Sequence, residues 1–139
     1  MQKANIMNQL EKHLQAENDH DLNTIMETFG KNSVLVFNGI RFDTPEKIRA
    51  LHQEFGFGDN GGFSNLKVEV QKRHVATETI ILEQIISGKH TGVFQGIPPT
   101  GKPFSVAVCT IYSFDGEGKL AEERVYFDQS LLFNQLGQK

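Results

Sequence analysis

Two side chains stand out as able to move protons. His90 closes an apolar run, Ile80-Ile81-Leu82-Glu83-Gln84-Ile85-Ile86-Ser87-Gly88-Lys89-His90, and Asp128 closes another, Glu122-Glu123-Arg124-Val125-Tyr126-Phe127-Asp128. An imidazole and a carboxylate at the ends of mostly apolar strands are the groups that general acid–base chemistry uses. Proton abstraction beside a carbonyl needs three things. A carboxylate must be raised in pKa by apolar surroundings, a donor must hold the developing enolate oxygen, and water must be kept out. Asp128 is the candidate base, and His90, Tyr126 or Arg124 the candidate donors. Arg124 works against the first requirement, because a nearby cation favours the ionised carboxylate.

Alternation along a strand sorts these residues by face. Glu122, Arg124, Tyr126 and Asp128 share one side of the last strand, and Ala121, Glu123, Val125 and Phe127 share the other. By alternation alone, the charged side meets water. Leu82, Gln84, Ile86, Gly88 and His90 share a side unless a bulge intervenes. A lone histidine in such a strand has a structural reading as well as a catalytic one.

The elements that would position these groups follow from periodicity. Ile6, Leu10, His13, Leu14 and Glu17 recur at helical spacing over Ile6 to Asn18. Asp21 caps a second helix, Leu22 to Phe29, and Gly30 suits a left-handed stop. Val34 to Phe37 reads as a strand, Asn38-Gly39 as a turn, and Ile40 to Phe42 as the returning arm. Thr44 and Pro45 open a third helix carrying Ile48, Leu51, His52 and Phe55 on one face. A glycine-rich loop over 56–62 follows. Long strands then run from about Phe63 to Val75, Thr79 to Thr91 and Pro103 to Phe114. Asp115-Gly116-Glu117-Gly118 turns the chain into a last strand, Lys119 to Asp128. A short helix ends at Gly137. Helices first and antiparallel strands after them read as α+β, with helices across one face of a curved sheet. The mouth of such a cone is a natural pocket.

Bulk properties narrow the function. The chain of 139 residues fits a single domain spanning 1–139, with 38% hydrophobic and 22% charged residues. A net charge of -3 argues against a nucleic-acid partner. No stretch has the length of a membrane span and no signal peptide is visible. The single cysteine, Cys109, excludes an intrachain disulfide and a Cys-based zinc site, and it reads as a buried thiol in a cytoplasmic protein. The five histidines never pair at metal-site spacing, so neither a metal nor a cofactor is expected. Eleven phenylalanines offer apolar lining, among them Phe37, Phe42, Phe55, Phe57, Phe94 and Phe104.

The motifs Gly-x-His-Thr-Gly at 88–92, Gly-Ile-Pro-Pro-Thr-Gly-Lys at 96–102, Glu-Glu-Arg-x-Tyr-x-Asp at 122–128 and Gln-Leu-Gly at 135–137 resemble the SnoaL-like polyketide cyclases. That family belongs to the cone-shaped NTF2-like (cystatin-like) superfamily, and the resemblance runs from about residue 4 to 137. It implies a cofactor-free cyclase, isomerase or hydrolase acting on a small, mostly apolar carbonyl compound. Asp128 would be its general acid/base and His90 would line the pocket. Arg124, Tyr126, Gln84 and Asn38 are the candidate substrate-binding residues, Asn38 by analogy with the fold although its Asn-Gly turn already explains it. The resemblance also turns the Asp128 face inward, with Arg124 standing where many relatives carry tryptophan. Two alternatives have different consequences: a non-catalytic binder of a small hydrophobic acid held by Arg124, and a dimeric scaffold without catalysis. A homodimer through the convex face of the long strands is expected, with Val106, Val108 or Ile111 and Ile81 or Ile85 as its apolar surface.

Overall fold

The computed structural model describes residues 3–138. Helix α1 spans Lys3–Asn18 and α2 spans Leu22–Glu27. Strands β1 (Phe29–Phe37) and β2 (Ile40–Phe42) form a hairpin, and α3 covers Pro45–Phe55. Four strands follow: β3 (Phe63–Val75), β4 (Thr79–His90), β5 (Pro103–Phe114) and β6 (Leu120–Phe127). Helix α4, Gln129–Gln135, comes last.

The helix starts are built from local chemistry. Asp21 accepts a hydrogen bond from the Thr24 amide, and Thr44 from the Lys47 amide, each satisfying a donor that the first turn leaves free. Pro45 sits where no amide is needed. Helix α3 stops at Gly56, whose φ of 132° no L side chain adopts readily. A Cβ there would also lie 2.1 Å from the Phe63 carbonyl oxygen. Gly30 does not stop α2. It lies inside β1, which begins at Phe29, so the second helix is shorter than its apolar spacing implied.

The six strands form one sheet in the order β2-β1-β6-β5-β4-β3. Every neighbouring pair is antiparallel except β1 and β6, which run parallel. Register shifts interrupt β3 twice, between Ser64 and Lys67 and between Val70 and Lys72. Bulges of this kind bend a strand and deepen its twist, which is how the sheet curls.

Helix α1 puts Ile6, Leu10, Leu14 and Ala16 into the core, and α3 adds Ile48, Leu51 and Phe55. Facing them from the sheet are Leu35, Ile80, Leu82, Val106, Val108, Tyr112 and Val125. Phe55 sits among other rings: Phe57 stacks on it, and Phe37, Phe94 and Phe104 meet it edge-on. Among the described residues, no helix is long and apolar enough to cross a membrane.

Candidate functional site

Cross-strand register decides which side chains look into the cone. Leu35 pairs with Glu123, and Phe37 with Val125. Tyr112 pairs with Glu123, and Thr110 with Val125. Paired residues share a face, so Leu35, Phe37, Thr110, Tyr112, Glu123 and Val125 point the same way. These six, with Gln84 and Ile86 of β4, His52 and Phe55 of α3, and Glu17 of α1, line one cavity. The space open to the centre of a water-sized sphere is about 50 Å³. One water needs roughly 10–15 Å³ on that measure, so a few waters or a small ligand group fit as the walls stand. A second, wholly apolar cavity lies beyond shared walls at Phe37, Phe55, Ile86 and Val125, and reaches Val106, Val108, Phe127 and Leu132.

The polar end of the cavity is built on a buried cluster. His13 is fully buried, and Glu17, His52 and Glu123 are buried with it. His13 and Glu17 lie four residues apart on α1, hence on one helix face. His13 Nε2 stands 3.4 Å from a Glu17 oxygen and 3.4 Å from a Glu123 oxygen. The proton positions on both rings follow from their other partners. Thr28 donates its hydroxyl proton to the Ile25 carbonyl, so at 2.8 Å from that hydroxyl oxygen His13 Nδ1 must be the donor. His52 Nδ1 lies 2.8 Å from the Ile48 carbonyl and must likewise donate. On both rings Nε2 is therefore the nitrogen left over from these bonds, and on His13 it is the one that faces Glu17 and Glu123.

The electrostatics follow from this crowding. Burial alone would depress the His13 imidazolium, but Glu17 and Glu123 outweigh it and the pKa is pushed up to about 10. Burial would raise the Glu123 carboxyl, but the His13 imidazolium 3.4 Å away outweighs it and holds the carboxyl below the usual range. The Tyr112 phenol is driven well above its ordinary value by burial and then by Glu123 and Glu17, so it stays a proton donor. Thr110 donates to the Gln84 side-chain oxygen at 2.9 Å, fixing the Gln84 amide at the cavity wall.

The residues singled out in the sequence do not come together. Gln84 lines the cavity. Asp128 does not: it is exposed beyond the end of β6 and caps α4, accepting the Leu131 amide at 3.3 Å. Arg124 and Tyr126 lie on the opposite side of β6 from Glu123 and Val125, on the outer face of the sheet. Arg124 Nε donates to the Tyr126 hydroxyl oxygen at 2.8 Å and pairs with Glu122 at 3.5 Å. The expected inward face of β6 is thus corrected. The parallel partner β1 pairs the odd residues of β6 with the buried Leu35 and Phe37, which leaves the charged even residues outside.

His90 has the expected inward parity, since β4 and β5 pair without a shift from Thr79 to Lys89, but it lies outside the cavity wall. It is fully buried at the far end of the sheet beside Phe63, with its Nδ1 accepting the Thr100 amide at 3.2 Å. Burial lowers its pKa. Asn38 adopts a left-handed turn conformation, φ 48°, and its side-chain oxygen accepts the Phe127 amide, tying the β1–β2 turn to β6. Of the candidate lining rings, Phe37, Phe55 and Phe57 reach the cavity. Phe94 and Phe104 instead pack with Phe63.

The cluster itself had a legible signature. His13 and Glu17 interrupt the apolar stripe of α1, and Glu123 interrupts the apolar side Ala121, Val125, Phe127. Sequence reasoning registered both patterns without joining them, because β1 had to bring β6 over α1 first.

Comparison with known proteins adds the following. The family model for SnoaL-like polyketide cyclase matches residues 9–136. The sequence matches no curated protein. Among solved structures, TsrD from Streptomyces laurentii superposes with a TM-score of 0.84 at 21% identity, covering 100% of this chain and 99% of that one. A Catenulispora acidiphila protein with a ketosteroid isomerase-like fold, solved with trimethylamine, gives 0.77 at 18%, covering 94% and 93%. An epoxide hydrolase of the LEH-like type from M. tuberculosis gives 0.72 at 18%, covering 96% and 90%. At these identities the likeness is one of fold.

Proposed function

For a chain that belongs to the SnoaL-like polyketide cyclase family, we propose proton-transfer catalysis on a small, largely apolar carbonyl compound, as a cyclase, isomerase or hydrolase. One observation carries this reading: a single cavity joins buried carboxylate and imidazole groups at one end to phenylalanine and aliphatic walls at the other. The reacting end is the polar one. The Glu17 and Glu123 carboxylates and the His52 imidazole move the proton, and the Tyr112 hydroxyl with the Gln84 amide holds the carbonyl oxygen. Asp128 takes no part, in contrast to what the family resemblance implies. The size of the cavity favours a compact substrate over a multi-ring one.

The binder reading loses its support because Arg124, its anion-holding group, is on the outer face. A cytoplasmic homodimer also belongs to this proposal. Its surface would use Ile81, Ile85 and Ile111, which are half-buried on the outer face, and not Val106 and Val108, which are buried within.

The test is exchange of carbonyl α-protons in D₂O, followed by ¹H NMR across a panel of small cyclic and aromatic ketones and esters. Wild-type protein should accelerate exchange or convert at least one compound. Glu123→Gln, of nearly the same shape, should lose ~10²-fold or more of that rate, the range for a removed acid/base group. A panel that binds yet shows no difference between wild type and Glu123→Gln would overturn the catalytic reading.

A further inference from the structure

We propose that His13, Glu17, His52 and Glu123 form a binding site for one divalent transition-metal ion, of the zinc type, at the polar end of the cavity. This rests on the reading that this end is the reacting end; with an ion held there, Glu17, His52 and Glu123 would serve as its ligands, and the ion would polarise a carbonyl oxygen and lower the pKa of a bound water to act as the base in their place.

The spacing comes first. A charged imidazole–carboxylate hydrogen bond is about 2.7–2.9 Å long. Both contacts of His13 Nε2 are 3.4 Å instead. Among the described residues, His13 Nε2 and the Glu123 Oε1 that faces it are buried with no atom at hydrogen-bond distance and angle. Such orphaned atoms in the interior are costly and call for an explanation. A tetrahedral ion with bonds of about 2.0–2.1 Å separates its ligand atoms by roughly 3.3–3.4 Å along each edge. That matches both contacts. One donor atom from each of the four residues lies within 4.8 Å of the other three, which brings His52 into the same cluster.

The hydrogen bonds behind the ligands come second. Metal-binding histidines characteristically donate their other ring N–H to an oxygen acceptor, which fixes the tautomer and aims the free nitrogen. Both rings do so here: His13 Nδ1 to Thr28 Oγ1, with that hydroxyl locked onto the Ile25 carbonyl, and His52 Nδ1 to the Ile48 carbonyl. The supporting atoms belong to α2, to Thr28 that caps its end, and to α3, while the rings themselves stand on α1 and α3, so the nitrogens are held on rigid elements.

Charge is the third argument. A bound ion would take the place of the proton that Glu17 and Glu123 hold on His13, and its two positive charges would balance the two buried carboxylates. The His₂Glu₂ donors are the mixture that zinc and its neighbours accept, whereas calcium and magnesium favour all-oxygen shells. The adjoining cavity leaves room for a water or a carbonyl oxygen at an open position.

The experiment uses the full chain stripped with a chelator and dialysed against metal-free buffer. Zinc uptake is measured by elemental analysis after desalting, and cobalt uptake by visible spectroscopy. The expected result is one zinc ion retained per chain, a zinc-dependent rise in melting temperature, and the intense visible bands of four- or five-coordinate cobalt. Glu123→Gln and His13→Gln should each weaken zinc binding by ~100-fold or more, beyond what losing a supporting hydrogen bond does. His74→Ala, which removes the exposed His74–Glu83 pair, should change nothing. Because a ligand variant can fail to fold, the wild-type melting shift and cobalt spectrum stand as readouts of their own. No retained zinc with a featureless octahedral cobalt spectrum overturns the site, as does uptake that survives in Glu123→Gln but disappears in His74→Ala. Zinc uptake without α-proton exchange upholds the site and sinks the proposed reaction. Exchange by the stripped protein without any uptake does the reverse.

Discussion

Replacing Asp128 separates a cap from a catalyst. Its side chain accepts one amide hydrogen bond, from Leu131 at 3.3 Å, at the start of a seven-residue helix. A capping side chain contributes about 0.5–2 kcal/mol against alanine, and a bond this long belongs in the lower half, ~0.5–1 kcal/mol. The rest of α4 is anchored by Leu132 and Leu136, which are essentially inaccessible to water, so the helix stays docked when its cap is lost. For a chain of this size, that cost lowers the melting temperature by roughly 2–5 °C. Asp128→Asn keeps a good cap and should melt as the wild type does. Neither variant should change α-proton exchange by more than about twofold, whereas losing a general base costs ~10²–10⁴-fold. Thermal melts and exchange rates measured side by side on Asp128→Ala and Asp128→Asn give the answer. If Asp128→Asn melts normally but exchange falls a hundredfold, the cavity has been placed at the wrong side chains and the reasoning fails.

Two further outcomes follow from placement and charge. Arg124→Ala should leave the affinity for small hydrophobic acids unchanged, because Arg124 engages Glu122 and Tyr126 outside the cone; calorimetry showing a tenfold loss would restore the binder reading. His90 is buried, with its pKa lowered by burial. As pH falls through the ordinary histidine value near ~6.5, the unfolded chain takes up a proton that folded His90 does not, so wild-type stability drops. His90→Phe should flatten that slope between pH 7 and 5 in denaturant titrations, and an unaltered slope would show that His90 does not contribute to it.

Much of the fold was readable locally. The boundaries of β3, Phe63 to Val75, and of β5, Pro103 to Phe114, follow from alternation bounded by glycine and proline, and Thr44 and Pro45 mark α3 unmistakably. What escaped was non-local. Phe29 looked like the last apolar residue of a helix, yet it opens β1, because pairing with β6 outweighs the short helical stripe. The inward side of β6 could not be read from its own residues. Both sides carry charge, and the choice is made by Leu35 and Phe37 across the parallel ladder. The same pairing explains why Glu123, in a motif noticed for its neighbours Arg124 and Asp128, meets His13 from the other end of the chain.

That parallel ladder also sets an order of assembly. Residues 29–37 cannot find their partner until residues 120–127 have been made, so the half-built chain holds β1 and β2 as a hairpin with one open edge. Contacts separated by so much sequence slow folding, since a long loop must close before they are rewarded. A ribosome-bound chain would therefore carry α1, α2, α3 and the β3–β4–β5 meander early, while the cone closed only at the end of synthesis. The cluster joining His13 and Glu17 to Glu123 would form in that same last step, so a chain truncated before β6 would have neither a closed sheet nor a site.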